Sequence, residues 1–133
     1  MSLIINNFEN IKSLIDNSNV KIIAVSKTFS YDLIRPLVDY GHRHFGENKV
    51  QEAISKWTDI KKKIKDINLH MIGKLQTNKA KDAVKLFDYI HSLDNQKLAN
   101  VLANQEKNIN KKLKYFIQVN IGNEKQKTGI GID

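Results

Sequence analysis

The chain has 133 residues, 41% of them hydrophobic, and its 22 basic and 14 acidic side chains leave a net charge of +8. That length suits one domain, the apolar content excludes general disorder, and the absence of cysteine excludes disulfides, zinc–thiolate sites, iron–sulfur clusters and a cysteine nucleophile. Arg35 and Arg43 are the only arginines, so the charge is nearly all lysine; this predicts salt-sensitive attraction to polyanions and argues against specific nucleic-acid recognition, which leans on arginine.

Leu3, Ile4, Phe8, Ile11, Leu14 and Ile15 fall near helical spacing and predict an amphipathic helix over 3–16. KIIAVSK (21–27) is a short β-branched run that reads as a buried strand. Ser30 is placed to cap a helix ending near Tyr40, although Pro36 inside it costs about 3 kcal/mol unless the helix kinks or begins later. RHFG (43–46) gives a second strand before a helix over 50–65, and LHMIG (69–73) a third before a helix over 77–86. DYIHSL (88–93) is the fourth, with Asp94 expected to cap the helix QKLANVLANQEK, and KYFIQVNI (114–121) is the fifth. Strands alternating with helices imply an α/β fold with a parallel sheet and helices packed outside. Such a chain forms either an open five-stranded domain or the first portion of a (β/α)8 barrel, which needs about 250 residues.

No apolar run approaches the ~20 residues that span a bilayer, and the N-terminus lacks the basic-then-apolar order of a signal peptide. A cytoplasmic protein without a membrane partner is expected.

In parallel α/β folds the carboxyl ends of the strands are where chemistry is placed. Ser26-Lys27-Thr28, Gly46-Glu47-Asn48, Gly73-Lys74-Leu75-Gln76, Ser92-Leu93-Asp94 and Asn120 with the 123–129 loop lie there. Alternation sets Ile23, Val25 and Lys27 on one face; were that face the sheet interior, the amine would be partly desolvated and easier to deprotonate into a nucleophile. The plainer reading is a solvated lysine at a strand end. Spacing gives no support for a metal site among His42, His44, His70 and His91, and His70 is better read as a hydrogen-bonding group of the core. Trp57, Phe87, Tyr89 and Phe116 are expected in the core, and KKKIK (61–65) at a solvated helix end. Neither phosphate-loop signature is present.

AVSKT (24–28), FGENKVQE (45–52), HMIGKLQTNK (70–79), HSLD (91–94) and QVNIGNEKQKTGI (118–130), in that order, resemble the pyridoxal phosphate homeostasis proteins, the YggS/PROSC family. The resemblance implies the N-terminal portion, about five βα units, of a (β/α)8 barrel like the N-terminal domain of alanine racemase. It implies pyridoxal 5′-phosphate (PLP) held as a Schiff base on Lys27, with Asn48 and His70 lining the cofactor pocket and Lys127 handling the cofactor. It further implies a carrier that delivers PLP to PLP-dependent apoenzymes without robust turnover. The family's phosphate-holding loops come later than the last residue here, so a weaker hold on PLP is expected, with self-association through an open barrel edge. The alternatives are a non-functional remnant of the family and a racemase-like PLP enzyme.

Overall fold

The computed structural model describes residues 3–17, 19–122 and 128–131. Five parallel strands form one sheet in the order β1 (Ala24–Val25), β2 (His44–Glu47), β3 (Asn68–Met71), β4 (Tyr89–Leu93) and β5 (Lys114–Ile117). The helices are α1 (Leu3–Ser13), α2 (Tyr31–Asp39), α3 (Val50–Lys63), α4 (Ala80–Leu86), entered through a 3-10 turn at Thr77–Lys79, and α5 (Gln96–Ile109). Each strand pairs in parallel with the next in sequence, which requires a crossover between them, and a helix supplies it each time. No helix among the described residues is long and apolar enough to cross a membrane.

Strand alternation divides the sheet into two faces. Phe45, Leu69, Met71 and Ile90 point to the helices and are essentially inaccessible to water, joined there by Trp57 of α3, Ala83 and Val84 of α4, and Leu98 and Leu102 of α5. Trp57 packs between Phe45, with ring centroids 4.9 Å apart, and Tyr31 at 5.7 Å, and Phe87 is fully buried as expected. Phe116 departs from expectation: it is 53% exposed, because alternation turns it to the other face, where its ring stacks on His91 at 4.6 Å.

The local differences have physical causes. The first helix stops at Ser13, leaving Ile11 and Leu14 exposed, and grips the domain through Ile5 and through Phe8 against His42. α2 runs through Pro36 and tolerates a ring that has no N–H for the Asp32 carbonyl; Ser30 occupies its cap position without a side-chain cap bond. Asn95, and not Asp94, caps α5, its Oδ1 accepting from Leu98 N at 2.8 Å, because Asp94 is turned to Gly129 N, at 3.2 Å. In KKKIK, Lys62, Lys63 and Lys65 are solvated, but Lys61 donates to Leu86 O and pairs with Asp88 at 2.7 Å. The fifth strand breaks at Gln118, after a register shift between β4 and β5, and β6 (Val119–Asn120) leaves the main sheet to pair in parallel with β7 (Ile130–Gly131).

The packing makes a direct prediction. Ile90→Ala, which opens a cavity on the helix-facing side, is expected to cost about 2–5 kcal/mol in urea denaturation, and Lys62→Ala at the solvated helix end less than about 0.5 kcal/mol.

Candidate functional site

The carboxyl ends of β1, β2 and β3 bring together the AVSK, FGEN and HMIG segments. β1 is the edge strand, paired with β2 only at Ala24↔Phe45 and Val25↔Gly46. Lys27 is exposed, the plainer of the two readings of a lysine at a strand end, because at the sheet edge its own face is open: Val25, two residues earlier, is 52% exposed. Asn48, which continues β2 at the matching level, is half-buried and lies over the backbone of Gly73. A Cβ added at Gly73 would overlap Asn48 Oδ1, so this glycine leaves the space that the amide fills. Beside Asn48 a cleft of about 550 Å³ opens between the loops after β2 and β3, with Lys49, Lys74 and Lys79 among its lining residues, a set of cations that favours an anion. Lys127 lies outside the described residues. Its downstream neighbours Thr128 and Gly129 bond to Gln118 Nε2 at 2.9 Å and to Asp94 Oδ2 at 3.2 Å, at the ends of β5 and β4.

His70 is 4% exposed and is joined to other rings on both sides. His44 Nδ1 and His70 Nε2 are 3.0 Å apart, and His70 Nδ1 and His91 Nε2 are 2.9 Å apart, so three histidines on adjacent strands form a hydrogen-bonded row across the second face. Tyr89 stacks on His70 at 4.1 Å, and Lys114 lies over the Tyr89 ring. Each bridge holds one proton. A single extra proton can reside on His70, which then donates in both directions; a second sets N–H against N–H and breaks a bridge. Burial, with the neighbouring His91 and His44, lowers the His70 pKa to about 4 against a smaller opposing pull from Asp88. Burial also lowers His44, aided by Lys21, and His91. The row is readable in the sequence only after the strands are in register, since nothing local marks positions 44, 70 and 91 as neighbours.

On the helix-facing side, Glu47 is fully buried and accepts from Ser26 Oγ at 2.5 Å, Lys56 Nζ at 2.9 Å and Trp57 Nε1 at 2.9 Å. Lys56 Nζ also donates to Ser26 O at 2.6 Å, and Glu52 Oε1 accepts from Thr28 N at 2.5 Å. Sequence reasoning missed Glu52 and Lys56 and gave Ser26 and Glu47 no role beyond strand-end clusters. The available signal was the presence of both glutamates inside FGENKVQE.

Comparison with known proteins follows this geometry. Residues 1–132 match the family described as alanine racemase, N-terminal domain. The chain is 40% identical over 113 residues to the pyridoxal phosphate homeostasis protein of Pasteurella multocida, covering 85% of this chain and 48% of that one. The corresponding protein of Buchnera aphidicola is likewise 40% identical over 113 residues, covering 85% and 49%. Among solved structures, PipY of Synechococcus elongatus without PLP superposes with a TM-score of 0.87 at 38% identity, over 94% of this chain and 57% of that one. PipY with PLP bound gives 0.83 at 35% identity, over the same shares. Alanine racemase of Clostridium difficile shares the fold, with a TM-score of 0.72 at 16% identity, over 94% of this chain and 32% of that one. The chain spans about half the length of the curated relatives it matches. The five strands are thus part of an α/β barrel, which resolves the choice between barrel and open sheet.

Two stability predictions follow from the site. Because the folded-state pKa of His70 lies below its ordinary 6.5, the stabilisation it confers is complete above pH 6.5 and is lost as pH falls toward 4. The loss is on the order of 2–3 kcal/mol, and urea titrations across this range should show a shallower decline in His70→Leu than in the parent. Thr28 has φ +67°, the left-handed region, which costs a β-branched residue roughly 1–2 kcal/mol. Thr28→Gly is therefore expected to raise stability by about 1 kcal/mol in the same assay.

Proposed function

We propose, from the premise that this chain belongs to the family of the alanine racemase N-terminal domain, that it holds pyridoxal 5′-phosphate on Lys27 through a Schiff base and serves vitamin B6 homeostasis without robust turnover. The observation that carries this reading is an exposed primary amine just after β1, at the same end of the sheet as Asn48 just after β2, in a chain similar to proteins named for pyridoxal phosphate homeostasis and to a PipY structure with PLP bound.

The residues present fit the group. Bound PLP would supply an aldehyde carbon, and the Lys27 amine is the group that would join it through a C=N bond with loss of one water. Asn48 offers an amide donor and acceptor over the space that Gly73 leaves open. His70, neutral at pH 7, contributes ring surface and fixed hydrogen bonds below that level, both its nitrogens being engaged by His44 and His91. Lys49, Lys74 and Lys79 raise the local positive potential and draw in a dianionic phosphate. Lys127 enters on resemblance alone.

Exposure of Lys27 favours a carrier over a racemase. A bond to an amine open to solvent exchanges readily with other amines, which is what delivery to apoenzymes requires, whereas amino-acid racemisation needs a positioned acid or base on each face of the substrate.

Mixing the protein with limiting PLP, reducing with borohydride and mapping the modified peptide is expected to place most of the label on Lys27 and to lose it in Lys27→Ala. Labelling spread over the lysines and unchanged in Lys27→Ala overturns the reading. Asn48→Ala and higher salt should each weaken the labelling, the salt effect reporting the lysine-lined cleft.

A further inference from the structure

The chemistry of an amine alone does not explain why FGENKVQE holds two carboxylates bonded to the residues on either side of Lys27, nor why α3 meets this segment with both a cation and an anion. We propose that Glu52 and Lys56 of α3 are positioning residues for Lys27, acting through the two peptide planes that flank it; this rests on Lys27 being the attachment point for PLP.

A lysine's Cα–Cβ direction is set by its φ and ψ, and those are set by the orientation of the peptide planes before and after it. The plane before Lys27 contains Ser26 O, which accepts from Lys56 Nζ at 2.6 Å. Ser26 itself is anchored one plane earlier, its N donating to Gly46 O at 2.9 Å, and through its side chain, Oγ donating to the buried Glu47. The plane after Lys27 contains Thr28 N, which donates to Glu52 Oε1 at 2.5 Å. Glu52 and Lys56 lie one turn apart on α3 and pair at 3.4 Å, so one rigid helix clamps both planes. Lys56 has a 6% exposed side chain, and its partner Glu47 is inaccessible, so this end of the clamp cannot be replaced by water.

Thr28 supplies the second, independent sign. A β-branched residue at φ +67° is strained, and strain of this kind persists only where the surroundings impose it. The Glu52 carboxylate on the Thr28 N–H is the contact that imposes it. The amine at the sheet edge, where no strand among the described residues pairs on the outer side, is thereby aimed by the helix on the other side.

The test compares Lys27 with exposed Lys62 as sites of borohydride-trapped PLP, alongside the thermal midpoint and amide hydrogen exchange at Thr28. Glu52→Ala is expected to lower the Lys27 preference about tenfold, equivalent to about 1.4 kcal/mol, and to speed exchange at Thr28. Glu52→Gln keeps a carbonyl acceptor and should stay within about threefold of the parent. Adding Thr28→Gly to Glu52→Ala should restore most of the preference, because glycine occupies the left-handed turn without being forced into it. A loss of folding would be repaired by neither the amide nor the glycine in this pattern. If Glu52→Ala retains the parent preference, or if Gln fails as fully as Ala and glycine restores nothing, the inference is overturned. Should Glu52→Ala not fold, unchanged Thr28 exchange in Glu52→Gln at a reduced Lys27 preference overturns it as well. No Lys27 preference in the parent chain overturns instead the reading of the site itself.

Discussion

The Glu47 carboxylate has no access to water, and the ends of β1 and β2 are arranged around the need to satisfy it. Removing a carboxylate from water costs several kcal/mol, which is recovered only when its oxygens are filled by good donors. Here a hydroxyl from β1 and an ammonium and an indole N–H from α3 do so. Breaking one partner leaves a buried charge uncompensated, a loss of about 3–5 kcal/mol, so the three elements are bound to one geometry more tightly than apolar packing alone would hold them. That geometry delivers Ser26, and with it the following lysine, to a defined place.

The same alternation that builds the core leaves the other face free for polar work. Every second residue of β2, β3 and β4 enters the helix-packed layer; the intervening residues His44, His70, Tyr89 and His91 form a continuous patch of rings that bond and stack among themselves. Burial disfavours charge on the His70 ring, while Lys49, Lys74 and Lys79 line the cleft beside Asn48 at the strand ends.

Most of the fold was legible because long, strongly periodic segments dominate the chain. The strand–helix alternation, α3 with Val50, Ala53 and Trp57 on one face, and the buried runs at 44–47 and 68–71 all follow from local pattern. What was not legible depended on partners distant in sequence. Asp94 looked like a cap and is committed to Gly129, thirty-five residues away. Phe116 looked like core and sits on the opposite face because the strand parity was not anchored. Lys27, Asn48 and His70 could be singled out from motifs by resemblance, while Glu52 and Lys56 gained meaning only when α3 was seen to bond to the residues on either side of Lys27.

The edge position of β1 has a consequence for how the protein responds to heat or denaturant. Two residue pairs tie this strand to the sheet on one side, as two tie β3 to β4, and among the described residues no strand pairs with its outer side. Segments with few paired groups detach in partial opening events well below the energy of complete unfolding. Opening at this edge, opposed by the Glu47 network, would displace Lys27 and with it the proposed aldehyde capture while most of the sheet and its helices are still intact. A melting curve read from helix signal would overstate the temperature range in which the site exists, and a protease directed at residues 26–30 would report the working range more faithfully.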